Sequence, residues 1–380
     1  MRDGMFSKIV MILLLTAMLA PAFTIKQVKA VPKTWTVDDD GPADFLTIQD
    51  AINAANPGDY IYVINGTYVE NVVVNKTVWL VGQQQNITII DGNGAGNVVN
   101  VTADNVIVSG FTIQNSGSPI VEEEKGKFEI DLGFCGIYLN SSEGSVINNN
   151  NLTNNVCNIA LNNSNNNEII HNIMLTTEMM KQPECGIYLA NSSDNAIALN
   201  LISGSGIGIG LRGDSSGNNI TRNEITLSSQ CGILANSSDN IIFHNKFIDN
   251  VIQVLTDSIN TWDNSTTPGA SGGNYWSDYL IRYPNAKEIG NSGIGDTPYV
   301  IDANNIDTYP LIRSPDSSLL LVDLNDDRII NIQDIYAIVR AFNSYPHSSR
   351  WNFLADADKD LRVNIKDLML ALKNFMKKYP

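Results

Sequence analysis

Between residues 135 and 250 the apolar positions come in short alternating groups, Ile-x-Leu or Ile-x-Ile, separated by clusters of Asn, Ser, Asp and Gly. Alternation predicts strands, and the polar clusters predict the turns between them. The pattern repeats at about 22 residues. Ala190–Asn195 recurs letter for letter as Ala235–Asn240. A Cys-Gly-Ile-x-Leu string or near variant starts at Cys135, Cys157, Cys185, Ile207 and Cys231, with spacings of 22, 28, 22 and 24. A second column, Asn150, Asn172, Asn200, Asn223 and Asn245, keeps step with it. Each Asn has Ile three residues before it and an apolar residue two after it. The shared 28-residue interval is one coil plus six extra residues, assigned to the loop Thr176–Glu184.

One such unit cannot bury its apolar face alone, so the units must stack. Parallel strands about 4.8 Å apart place equivalent residues above one another, and buried turn Asn then form a ladder of amides. The predicted fold is all-β, a right-handed single-stranded parallel β-helix. A leucine-rich solenoid would need a Leu-rich consensus that is missing here. Because Ile207 occupies the Cys column, that column is expected to face the core, with Cys as a small hydrophobe. In-register side chains point the same way, which disfavours bridges between neighbouring coils. Cys231 stands two coils from Cys185, so buried thiols are expected.

At the start of the repeats, Asp44–Ala55 carries Ile48, Ala51, Ile52 and Ala55 on one helical face. Pro57-Gly58-Asp59 ends that helix, and Tyr60–Val63 and Gly66–Val69 read as strands. At the far end stand Gly273-Asn-Tyr-Trp-Ser-Asp-Tyr279, Gly293-Ile-Gly-Asp-Thr-Pro-Tyr299 and Tyr309-Pro-Leu311. These features resemble the helical cap, first coils and end motifs of pectin-lyase-like β-helices of the NosD, or carbohydrate-binding and sugar-hydrolysis, type. The resemblance covers roughly residues 34 to 313 and implies a carbohydrate-facing surface; some relatives are lyases, hydrolases or epimerases. NosD itself is associated with copper delivery, but three His in the chain and no Met/His cluster argue against carrying that over.

Composition narrows the picture. Residues 135–250 hold 24 Asn, a turn-dense and uncharged make-up. The net charge of −16 argues against nucleic acid. Arg2 and Lys8 precede the apolar stretch Ile9–Ala20, with small-residue cleavage candidates at Ala20–Ala22 and Val28–Ala30, as in a secretory signal. A twelve-residue stretch is short for a span of about 20, so no membrane span is expected in the mature chain. Eleven sequons between Asn65 and Asn264 suit an exported glycoprotein.

Polysaccharide cleavage needs paired carboxylates, or a carboxylate cluster with Ca²⁺ beside a base. The coils hold few ionisable groups. Asn149, His171, Leu199, Arg222 and His244 share one column, in which only Arg222 and His244 are neighbouring cations. Asp194, Asp214 and Asp239 read as turn formers. The acidic insert Glu122–Asp131 reads as a solvated loop, or as a flap over a groove.

After residue 315 helical spacing replaces the Asn columns. Asp323, Asn325, Asp327, Asn331 and Asp334 occupy positions 1, 3, 5, 9 and 12 of an oxygen-rich loop. Asp356, Asp358, Asp360, Asn364 and Asp367 repeat this 33 residues later, a spacing that supplies ligands for two Ca²⁺ ions. Each loop leads into an apolar stripe: Ile335, Ile338, Val339 and Phe342, then Leu368, Ala371, Leu372 and Phe375. The pair resembles a type I dockerin, in which two loop–helix repeats end in Asp. Position 6 departs from the usual Gly, being Arg328 and Leu361, and a left-handed non-Gly residue there costs about 1 kcal/mol. By the same resemblance Ile332-Gln333 and Ile365-Lys366 would select a cohesin-bearing scaffold.

The expected organisation is a signal peptide over 1–30, a capped β-helix over 31–258, a C-terminal cap over 259–315 and an all-α dockerin-like module over 316–380. The expected function is a secreted, extracellular or cell-surface protein that binds or organises polysaccharide. A calcium-dependent dockerin–cohesin contact would tether it. The alternative is a polysaccharide lyase or glycoside hydrolase carried by the same module. The sequence leaves catalysis undecided, leaning against it, and names no catalytic residue.

Overall fold

The structure is a computed structural model describing residues 31–117, 132–175, 185–264, 272–315, 321–325, 327 and 329–378. The expected signal segment, the insert Glu122–Asp131, the loop Thr176–Glu184 and Arg328 lie outside the described residues. No described helix is long and apolar enough to cross a membrane. Residues 33–380 form one compact unit, which contains everything described below.

Three parallel sheets of nine, eight and nine strands run the length of the repeats, as in a parallel β-helix. Each coil gives one short strand to each sheet, and the register follows the columns. Ile147, Ile169, Ile197, Ile220 and Ile242 pair in one sheet; Leu152, Met174, Ile202, Ile225 and Phe247 pair in another. Both columns are buried in one continuous apolar core. Stacking does not stop at residue 258, since Tyr275–Trp276 pairs with Lys246–Phe247.

The helix Ile48–Ala54 closes the N-terminal end. Thr47 caps it by accepting from the Asp50 N–H, and Ile48, Ala51 and Ile52 are buried. The Glu70 carboxylate, from the coil alongside, accepts from Ile48 N and Gln49 N at 2.9 and 3.0 Å. Two otherwise orphaned helix donors are thereby satisfied. At the other end Trp276 stacks between Phe247 (4.4 Å) and Tyr299 (4.2 Å).

The Asn ladder runs through the turns. Each side-chain amide donates to the next carbonyl oxygen, from Asn150 through Asn172, Asn200, Asn223 and Asn245 to Asn274, at 3.0–3.2 Å. Asp307 ends the row by accepting from Asn274 N at 2.7 Å. A second ladder links Asn167, Asn195, Asn218, Asn240 and Asn260 at 2.9–3.1 Å. Its only sequence signal was the repeated Ala-Asn-Ser-Ser-Asp-Asn.

The cysteine column is in register, Cys135–Cys157–Cys185–Ile207–Cys231, and all four cysteines are buried thiols. Its direction corrects the expectation. These side chains belong to a separate apolar cluster with Ala160, Tyr188 and Leu234, apart from the helix core. In this sheet Ile137, Ile159, Ile187, Ile209 and Ile233 fill the interior. The pairing skips the residue between each Cys and Ile, so alternation breaks there and the Cys side chain leaves the core.

Beyond residue 320 lie two helices, Ile332–Ala341 and Ile365–Lys373, around a small core that includes Ile330, Ile338, Ala355, Val363 and Ala371. The expected stripes are only partly used. Val339, Leu372 and Phe375 are exposed, because a core this small covers one narrow line on each helix.

Candidate metal centres and binding surfaces

The two acidic loops fold alike. Asn331 and Asn364 are the N-caps of the two helices, and Asp334 and Asp367 complete capping boxes by accepting from the cap N–H. The loop-closing Asp therefore serves helix and loop at once: Asp334 accepts from Leu324 N at 2.8 Å, and Asp367 from Asp358 N at 3.1 Å. Carboxylate oxygens of Asp323, Asp327 and Asp334 converge within 4.8 Å, as do those of Asp356, Asp358 and Asp367. Asn325 and Asn331 join the first group through Asp327 at 3.0 and 2.8 Å. Asp360 and Asn364 contact each other at 3.3 Å beside the second.

Burial, with Asp367, Asp360 and Asp358 around it, pushes Asp356 up to about 8. Asp358 is raised by burial, Asp360 and Asp367. Carboxylates crowded this way repel until a cation joins them, and six to eight oxygens at this spacing suit a hard divalent ion. Lys366 is the cation at hand, its Nζ 2.9 Å from Asp360 and 3.4 Å from Asp358. Leu361, at position 6, is left-handed with φ 63°, the backbone that the Gly expectation called for. The structure also brings Asp38, Asp39 and Asp40 together near the N-terminal cap, a group the sequence reading passed over despite its plain run of three Asp.

These loops lie against the β-helix. Leu361 packs with Ile107, Val146, Ile170 and Ala198 on the outside of one sheet. Asn148 donates to Lys359 O at 3.4 Å, and Trp351 Nε1 donates to Glu168 at 2.9 Å. Tyr345 meets the Trp79 ring at 6.0 Å. The first loop is held too, by Arg222 Nη2 donating to Asp323 O at 2.6 Å. Ile332 and Ile365 face solvent and are 67% and 58% exposed.

The column Asn149, His171, Leu199, Arg222 and His244 is a backbone turn. All five are left-handed, with φ of 53–59°. Asn tolerates that region; the others hold it because the coil geometry demands it at every rung. Arg222 is occupied with Asp323, His244 lies edge-on to Phe243, and burial depresses His171 to about 3. Asp194 and Asp239 are likewise left-handed turn residues.

At the C-terminal end a cavity of about 480 Å³ is lined by Asp249, Gln253, Asp278, Arg282 and Tyr299. Its Asp278 is engaged with the Tyr299 hydroxyl at 3.0 Å. Beneath it the fully buried Asp307 accepts from Trp276 Nε1 at 2.8 Å, and burial pushes its carboxyl up to about 7.

A family model described as periplasmic copper-binding protein (NosD) matches residues 52–280. No curated protein sequence matches the chain. Among solved structures, a pectin methylesterase from carrot is 14% identical over 66% of this chain and 88% of its own, with a TM-score of 0.42. A polygalacturonase from Erwinia carotovora ssp. carotovora is 14% identical over 65% of this chain and 76% of its own, with a TM-score of 0.42. The catalytic domain of a GH87 alpha-1,3-glucanase in complex with tetrasaccharides is 16% identical over 66% of this chain and 51% of its own, with a TM-score of 0.45. The parallel β-helix assignment rests on the strand register described above.

Proposed function

The chain belongs to the NosD family, and from that premise we propose an exported or cell-surface β-helix protein that binds or organises polysaccharide and is anchored through its C-terminal acidic loops. The observation that carries this is the pair of converging carboxylate groups, Asp323/Asp327/Asp334 and Asp356/Asp358/Asp367, in two loops that share the same Asn/Asp capping box. With Asn325, Asn331, Asp360 and Asn364 they would hold two Ca²⁺ ions, one per loop. Bound Ca²⁺ would neutralise the crowded carboxylates and stiffen each loop against its helix. The solvent-facing Ile332-Gln333 and Ile365-Lys366 are then available to a cohesin-bearing scaffold, as the dockerin resemblance implies.

Copper does not enter this proposal, because the residues do not fit it. Among the described residues, the groups of three or more His, Cys, Asp or Glu that converge closely enough to hold a metal are all carboxylate. Copper favours imidazole, thiolate and thioether donors instead. His171 is enclosed, His347 contacts Gly144 O, and burial pushes the Cys231 thiol up to about 11.

The alternative, a polysaccharide lyase or hydrolase, is favoured by one observation: the cavity near the C-terminal end has two carboxylates, Asp249 and Asp278, in its lining. A glycan array paired with a reducing-sugar release assay separates the two. Binding without release supports the first proposal, and release supports the second. For the calcium loops, the full chain is melted with Ca²⁺ and with chelator. At 100 times the Kd, Ca²⁺ adds about 2.7 kcal/mol to whatever unit binds it. Identical melting with and without chelator removes calcium from the proposal.

A further inference from the structure

Where residues 343–366 meet the β-helix, a cleft of about 600 Å³ opens between the two. One wall is aromatic: Tyr60 and Trp79 have ring centroids 4.7 Å apart, and Tyr345, half exposed, lies 6.0 Å from Trp79. The other wall carries Asp360, Arg362 and Lys366. Lys366 is committed to Asp358 and Asp360. Arg362 differs. Its side chain is exposed, no described carboxylate lies within ion-pairing distance of it, and its charge reaches the Tyr60 hydroxyl.

Tilted aromatic rings offer flat apolar faces with a wet edge, which suit the C–H face of a pyranose. An unpaired planar guanidinium opposite them suits a carboxylate, which it can grip with two parallel N–H bonds. We infer that this seam cleft binds a uronate-bearing saccharide, its ring against Trp79 and Tyr345 and its carboxylate on Arg362. The inference rests on the polysaccharide-binding proposal and gives it a site.

The chain's excess of acid does not forbid an anionic ligand, because charges beyond about 8 Å are screened at physiological salt. The near carboxylates, Asp358 and Asp360, belong to the second acidic loop, so Ca²⁺ there would strengthen uronate binding. The two walls face each other only while Leu361, next to Arg362, keeps its seat against Ile107, Val146, Ile170 and Ala198. The site is thus shared between β-helix and C-terminal segment.

The test is calorimetric titration of the full chain, in Ca²⁺, with trigalacturonate and with neutral galactotriose, after far-UV circular dichroism has shown each variant folded. Arg362→Gln should weaken trigalacturonate binding at least tenfold and leave galactotriose unchanged. Tyr345→Ala, on the exposed side of the cleft, should weaken both. Wild-type affinity for trigalacturonate in both variants overturns the cleft while leaving the polysaccharide proposal standing. So does a wild-type protein that binds other glycans on an array but neither trisaccharide. A wild-type protein that binds no glycan at all overturns both.

Discussion

Asn223 and Asp356 are both buried polar residues, and their surroundings are opposite. The Asn223 oxygen accepts from the backbone and side-chain amides of Asn200, both at 3.0 Å. Its own amide donates to Ile197 O at 2.8 Å and to Asn245 at 3.0 Å. An amide carries donor and acceptor together, so a stack of amides satisfies itself and needs nothing from outside. Carboxylates only accept. Asp356, facing Asp358, Asp360 and Asp367, cannot close a network with them and is driven toward the protonated form. The ladder therefore satisfies its own polar groups, whereas the second acidic loop leaves Asp356 crowded by like charges, a need that the proposed Ca²⁺ would meet.

The sharpest way to break this contrast is Asn223→Ala. It strands partners on two neighbouring coils, at about 1–3 kcal/mol for each unsatisfied buried group, for a total loss of about 3–5 kcal/mol. The loss should be the same with Ca²⁺ or chelator in a denaturant titration. A loss under 1 kcal/mol would mean the ladder is dispensable.

Gly186→Ala tests the scaffold's tolerance at a second point. A Cβ there would lie 2.6 Å from Gly208 O in the next coil. Overpacking of this kind costs about 1–3 kcal/mol, again independent of Ca²⁺. An unchanged denaturation midpoint would show that the coils can part to admit a methyl group.

Leu361→Gly probes the other region. It restores the residue expected at a left-handed loop position, recovering about 1 kcal/mol, but forfeits about 2 kcal/mol of apolar burial against the flank. Hydrogen exchange should rise in residues 343–366 and stay unchanged in the coils. Greater protection there would show that turn geometry, not packing, governs the segment.

The smallest expected effect is that of pH on the wild type, because two buried groups oppose each other. Asp307, raised from 3.8 to about 7, contributes stability below its unfolded value that is lost as pH rises from about 4 through 7. His171, lowered from 6.5 to about 3, contributes stability above 6.5 that is lost as pH falls toward 3. Asp356, raised to about 8, acts in the same direction as Asp307, so in chelator the wild-type melting temperature should fall modestly as pH rises over 4–7. His171→Asn, the residue type this turn already carries at Asn149, should steepen that fall. Asp307→Asn should flatten it. Identical profiles for the two variants would remove both assignments.

Much of the scaffold was legible because a repeat reports on itself. Once Cys135, Cys157 and Cys185 occupy one column, strand register, Asn ladder and thiols all follow from a 4.8 Å rise. The direction of that column was not legible, since the break in alternation between each Cys and its Ile is a backbone irregularity with no residue signature. The acidic loops were equally plain, because the spacing of their oxygen side chains is local: ten within two twelve-residue stretches, each leading into a capped helix. What no local pattern contains is the pairing of distant surfaces. Leu361 reads as a poor loop residue until it is seen seated on Ile107 and Ile170, and Arg222 as a candidate sugar ligand until it is seen on Asp323 O. Repeat, ladder and the spacing of the acidic loops are properties of the chain over tens of residues. The seam between β-helix and C-terminal segment joins residues far apart in the chain, such as Ile107 and Leu361, 254 positions apart; only the tertiary structure chooses which exposed apolar patches remove each other from water.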